Sequence, residues 1–104
     1  MVPERTDISE IYQLSRNDQV QLSHESAYLA QVLANAFQAD KINIAALGNV
    51  VPQLHIHHIA RYHNDATWPA PVWGKIARLP YKEDTLNNAI ARLKKSLLND
   101  FTFA

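Results

Sequence analysis

"VVPQLHIHHIARY", residues 50–62, places three of the chain's five histidines within four positions, directly after a Gly-Asn pair. On an extended segment alternate side chains share a face, so His55 and His57 point the same way, about 7 Å apart along the chain, while His58 points the other. Gln53 joins the first pair. Upstream, "KINIAAL" (Lys41 to Leu47) is short, carries two isoleucines and ends at Gly48-Asn49, a turn signal. Two short strands, "KINIAAL" and "QLHIHHIARY", separated by "GNVVP" make a hairpin the economical reading, and the sheet antiparallel.

Helical periodicity flanks this pair. Ser15 to Asp18 reads "SRND", a capping signal, and beyond it Leu22, Leu29, Val32, Leu33, Ala36 and Phe37 recur at three- and four-residue spacings. Gln21, Glu25, Gln31 and Asn35 take the opposite face, which predicts a helix from about Asn17 to Gln38. Near the C-terminus Leu86, Ala89, Ile90, Leu93 and Leu97 draw one apolar stripe. Glu83 and Asp84 sit in its first turn and Lys94 and Lys95 late, as the helix dipole prefers, so a second helix is expected from about Glu83 to Asn99. Between strand and helix, "HNDATWPAPVWG" holds two tryptophans and two prolines; Pro69 and Pro71 have no N–H to give a ladder, so this is a loop or arm. Trp68 and Trp73 need cover, from their own domain on the preferred reading or from a partner subunit on the sharper one.

Composition bounds the function. A chain of 104 residues, 47% apolar and 19% charged, reads as one globular domain: 1–104, with a Trp/Pro-rich arm at 62–80 and a C-terminal helix and tail at 81–104. Ten basic and ten acidic side chains cancel, which argues against a broad phosphate-binding footprint and thus against a nucleic-acid polymer as partner. The absence of cysteine removes disulfides, thiolate zinc sites and a cysteine nucleophile together. "MVPERTDISE" lacks the apolar run of a signal peptide and no apolar stretch approaches membrane-spanning length, so a cytoplasmic protein with no membrane partner is expected.

The Gln53, His55, His57 face admits three readings from its residues alone. A metal site needs at least three suitable ligands, and no carboxylate stands near at a useful spacing. A covalent site asks less: a neutral imidazole attacks a phosphoryl group directly if a neighbour fixes its tautomer and amide donors stabilise the phosphate oxygens. The bland reading is that these are sheet histidines bonded to backbone with no chemistry, and His24 and His58 are assigned to it outright.

The segment resembles the signature of the histidine triad (HIT) superfamily, in which a Gly-containing turn precedes His-x-His-x-His, apolar residues and often an arginine. "GNVVPQLHIHHIAR" aligns with it without a gap: Gly48 falls on the turn glycine, His55 on the middle histidine, His57 on the last and Arg61 on the closing arginine. "KINIAALG" is similar to the strand before the turn, with Asn43 on the family's asparagine, and "VPERTDISEIYQLS" to the segment entering the long helix, so the likeness covers residues 1 to about 62. It implies metal-independent, cofactor-free chemistry on a nucleotide α-phosphate through a covalent nucleotidyl-histidine. By that resemblance His55 is the nucleophile, His57 contacts the phosphate or leaving group, and Asn43, Gly48, Asn49, Gln53 and Arg61 bind the substrate and its phosphate. The fold implied is α+β, a small antiparallel sheet with one long and one C-terminal helix, here without the paired strands that usually precede "VPER". A nucleotide or nucleotide conjugate is the implied ligand and a homodimer the implied assembly.

The sequence departs from that pattern at three places. Gln53 stands where the first histidine does, Val50 where a hydroxyl residue usually helps hold phosphate, and Thr6 where many members have a histidine. "QLHIH" followed by "WPAPVWG" resembles a bacterial subgroup of the superfamily. Two other functions compete with a nucleotidyl hydrolase or transferase: a nucleotide-binding or dimerising module that keeps the fold and has lost turnover, and a metal-binding sheet protein.

Overall fold

The computed structural model describes residues 1–98 and 101–103. A short 3₁₀ turn at Ile11–Gln13 leads into helix α1 (Arg16–Phe37), strands β1 (Lys41–Ala45) and β2 (His57–Arg61), and helix α2 (Glu83–Ser96). The architecture is α+β, as expected.

Helix α1 starts where the capping signal lies: Ser15 Oγ accepts from the Asp18 amide at 3.1 Å, a bond that stabilises a helix by about 1 kcal/mol. Asp18 also takes a two-pronged ion pair from Arg5 at 2.9 and 3.0 Å, tying the N-terminal segment to the first turn. The helix ends with Gln38 in the left-handed conformation, and Asp40 then donates its amide to the Arg61 carbonyl and opens the sheet. Leu22, Leu29 and Val32 form its buried face. In α2 the acids and lysines sit at the ends the dipole favours, but its stripe is only half-buried. It lies on α1 through Arg92, which stacks over Phe37 and bonds the Ala36 carbonyl. Residue 99, where this helix was expected to end, lies outside the described residues.

β1 and β2 pair antiparallel, Lys41 opposite Arg61 and Ala45 opposite His57. The expected hairpin differs in one respect: β2 begins at His57, not at Gln53, so His55 stands before the strand. Residues 54–56 take their partners from the N-terminal segment instead. Leu54 donates to the Ile8 carbonyl at 2.8 Å, and Ile56 and Met1 exchange backbone bonds at 2.8 and 2.9 Å. Gly48, at φ +72°, supplies the left-handed turn in the long connection.

The strand-like alternation survives the change of partner and sorts the segment. Leu54 and Ile56 point inward, joining Leu14 and Leu22 in the core with Met1 and Ile8 packed against them. Burying such a side chain contributes about 1.5–3 kcal/mol, and these residues fix which face Gln53, His55 and His57 present. No helix among the described residues is long and apolar enough to cross a membrane.

Candidate functional site

His55 is held by its own segment. Its Nδ1 lies 2.7 Å from the Gln53 carbonyl oxygen, which only accepts, so the neutral ring carries its proton on Nδ1 and its lone pair on Nε2. The bond comes from backbone, and therefore survives whatever side chain stands at 53. The Gln53 side chain is engaged elsewhere, donating from Nε2 to the Arg5 carbonyl at 3.0 Å. His57 meets His55 edge to face, ring centres 5.1 Å apart, and meets Trp73 in the same manner at 5.9 Å. Among the described residues neither ring nitrogen of His57 has a hydrogen-bond partner.

Gln53, His55 and His57 line an open hollow of about 610 Å³, whose apolar side is made by Leu33, Ile59 and Leu93. The hollow thus combines imidazoles, His58 among them, with hydrocarbon. A second hollow, about 560 Å³, is lined by Glu4, Asp18 and Glu25, with Arg5 already spent on Asp18. Its carboxylates repel an anion, so the histidine hollow is the one suited to phosphate. No group of three or more His, Cys, Asp or Glu among the described residues is placed to hold a metal ion.

The other expected site residues fall into two groups. Gly48 and Asn49 stand outside the lining, at the turn that delivers Val51 to it. Asn43 and Arg61 bind each other: Asn43 Oδ1 accepts from Arg61 Nη1 at 2.7 Å. The expectation that Arg61 contacts phosphate is corrected by this geometry. Its residue is 1% exposed, and its remaining donors serve Asp65 at 2.8 and 3.0 Å, Thr67 at 3.2 Å and the Ala70 carbonyl at 2.8 Å. Buried in this network, the guanidinium does not line the histidine hollow. Arg61 instead clamps the start of the Trp/Pro-rich arm, with its guanidinium 5.5 Å from the Trp68 ring centre. The hydrogen bonds from Arg61, and after them those from the Tyr62 and Thr67 amides, hold the Asp65 carboxyl well below the usual range. Both tryptophans are half-buried and contact their own domain, Trp68 at Arg61 and His63 and Trp73 at His57.

Asp65 and Thr67 were not singled out from the sequence; an acid four residues after an arginine, followed by Thr-Trp, was the available signal. Ser26 was missed too. It lies 2.8 Å from His58 Nε2 on the face toward α1, and His58 Nδ1 donates to the Ile56 carbonyl at 3.3 Å. This fixes His58 as neutral acceptor of the Ser26 hydroxyl, and burial lowers its pKa. A mid-helix serine has its neighbouring amides committed to the helix, so the pair lacks oxyanion donors. His24 is exposed on α1.

The comparisons with known proteins agree on one family. A family model described as HIT domain matches residues 1–64. A histidine triad protein from Marinobacter aquaeolei VT8 is 47% identical, with a TM-score of 0.87 over 92% of this chain and 70% of that one. One from Sinorhizobium meliloti 1021 is 45% identical, with a TM-score of 0.87 over 92% of this chain and 71% of its own. One from Bradyrhizobium japonicum is 43% identical, with a TM-score of 0.88 over 93% and 72%. No curated protein matches the sequence. With a family model spanning more than half its length and relatives of this identity aligned over nine-tenths of it, the chain belongs to the histidine triad (HIT) family.

Proposed function

We propose that this protein is a nucleotidyl hydrolase or transferase in which His55 is the nucleophile. The observation that carries the reading is the 2.7 Å bond from His55 Nδ1 to the Gln53 carbonyl, which selects the neutral tautomer with its lone pair on Nε2, on a ring lining the hollow. The Nε2 lone pair attacks the α-phosphorus, the bond from phosphorus to the leaving group breaks, and the leaving group departs with that electron pair and takes up a proton. Water or another acceptor then attacks the same phosphorus, the P–N bond breaks and its electrons return to His55. His57 faces the phosphate or the leaving group. Gln53 and the turn at Gly48 and Asn49 lie on the phosphate side, and Asn43 offers the ribose its amide nitrogen. The aliphatic side of the hollow suits a planar base. The chemistry uses no cofactor, and the protein works as a cytoplasmic homodimer.

Incubation with a nucleoside phosphoramidate, acid-free quenching and mass spectrometry will find a nucleotidyl group on His55. His55→Asn is expected to lose it and to lower turnover on the order of 10³-fold or more. A second reading, a binding module without turnover, is favoured by specific features: Val50 is 91% exposed and offers no polar side-chain atom, and the Gln53 amide is committed to Arg5. Nucleotide binding by calorimetry with no adduct and no effect of His55→Asn would establish that module instead. Sedimentation of the full chain over a range of concentrations tests the dimer.

A further inference from the structure

His57 makes edge-to-face contacts with two rings, His55 and Trp73. The indole comes from a different segment, and the clamp described above explains why it reaches this place. Arg61 bonds Thr67 and the Ala70 carbonyl and covers Trp68, which fixes the arm three residues before Trp73. Trp73 is only half-buried, so part of a large apolar surface faces outward beside two imidazoles. It is also absent from the lining of the 610 Å³ hollow, although His57 belongs to it. The indole therefore stands outside the lining, in contact with a His57 ring that belongs to it.

We propose that Trp73 determines leaving-group specificity by stacking on a planar aromatic leaving group as it departs past His57. This rests on the nucleotidyl-transfer reading. The group expelled from phosphorus must exit beside the ring that faces it, and there the protein offers an indole. A flat aromatic group gains stacking against that surface, whereas a small aliphatic group gains nothing. The nucleoside itself lies in the hollow and does not meet Trp73.

The test uses the full chain and two phosphoramidates of one nucleoside, one carrying a naphthylmethylamine and one a small aliphatic amine of matched basicity. Single-turnover formation of nucleotidyl-His55 is measured for each, followed by hydrolysis of the adduct. Trp73→Leu should slow adduct formation from the naphthyl compound about tenfold, the size of one lost aromatic stack, and leave the aliphatic compound within about twofold. Trp73→Phe should lose about two- to threefold on the naphthyl compound alone. Hydrolysis of the adduct, which no longer contains the leaving group, should be unchanged in both. Equal slowing for the two compounds, or none, overturns the proposal. Should Trp73→Leu fail to fold, the Phe variant decides by the same selectivity. Wild-type protein that forms no adduct from either compound overturns the underlying reaction, and the proposal with it, before any variant is made.

Discussion

At the scale of single residues, the departure at position 53 looks like the loss of a triad histidine, yet what orients His55 is the carbonyl of that residue and not its side chain. The Gln53 amide serves another purpose, holding the Arg5 carbonyl and with it the N-terminal segment. Gln53→Ala should therefore keep the proton on His55 Nδ1, visible in the nitrogen shifts of the ring, and change the rate of adduct formation by less than about tenfold, the usual contribution of one neutral hydrogen bond. A loss on the scale of His55→Asn, or a switch of tautomer, would show that the side chain itself takes part. The sequence alone could rate Gln53 as mild only on its donor and acceptor capacity. That a backbone group does the orienting depends on the local path of the chain, and no residue type announces it. The reverse holds for Arg61. As a letter beside the signature it reads as an anion ligand, but burial and four hydrogen-bonding residues decide its role, and three of those lie at 65–70.

At the scale of elements, the segment 53–57 serves two faces at once. Leu54 is 2% exposed and packs with Leu14, Leu22 and Ile56, on the face opposite Gln53, His55 and His57. Leu54→Ala should cost about 2–5 kcal/mol in urea unfolding and, by loosening the segment, lower adduct formation as well. An unchanged midpoint would mean that this cluster does not support the segment. Both helices and the two strands were legible because capping and periodicity are local: Ser15 caps where it should, and the α1 stripe is buried as spaced. The start of β2 was not, since residues 54–56 alternate like a strand but find their partners at Met1 and Ile8, about fifty residues away, and alternation does not say which chain will pair. His58 makes the joint between β2 and α1 sensitive to acid. Its pKa is lowered, first by burial, from an ordinary value of 6.5, so the unfolded chain takes up its proton at higher pH than the folded one. Stability from this group is therefore complete above about pH 6.5, declines as pH falls from there to the lowered folded value, and levels off below it. Urea midpoints between pH 5 and 8 should show that decline in the wild type and a shallower one in His58→Gln. Equal slopes would exclude the Ser26–His58 contact as its origin.

At the scale of the molecule, the separate segments meet in one buried guanidinium. Asn43 brings β1, Asp65 and Thr67 the turn after β2, and Ala70 the arm, so Arg61 ties the sheet to the segment that carries Trp73 to the site. The fork geometry matters more than the charge. A lysine ammonium is a point donor that cannot serve a bidentate carboxylate, an amide oxygen and a main-chain carbonyl from fixed directions at once. Arg61→Lys should therefore leave the helical signal in far-ultraviolet circular dichroism nearly intact while releasing the arm. Two observations follow from that release. Tryptophan fluorescence shifts to the red as Trp68 and Trp73 gain water, and adduct formation at His55 from the naphthyl compound falls about tenfold, as in Trp73→Leu, although Arg61 does not line the hollow. If the arm were held mainly by its own prolines and by Trp73 against His57, Arg61→Lys would change neither the fluorescence nor the rate, and the clamp would be a packing contact without consequence for the site.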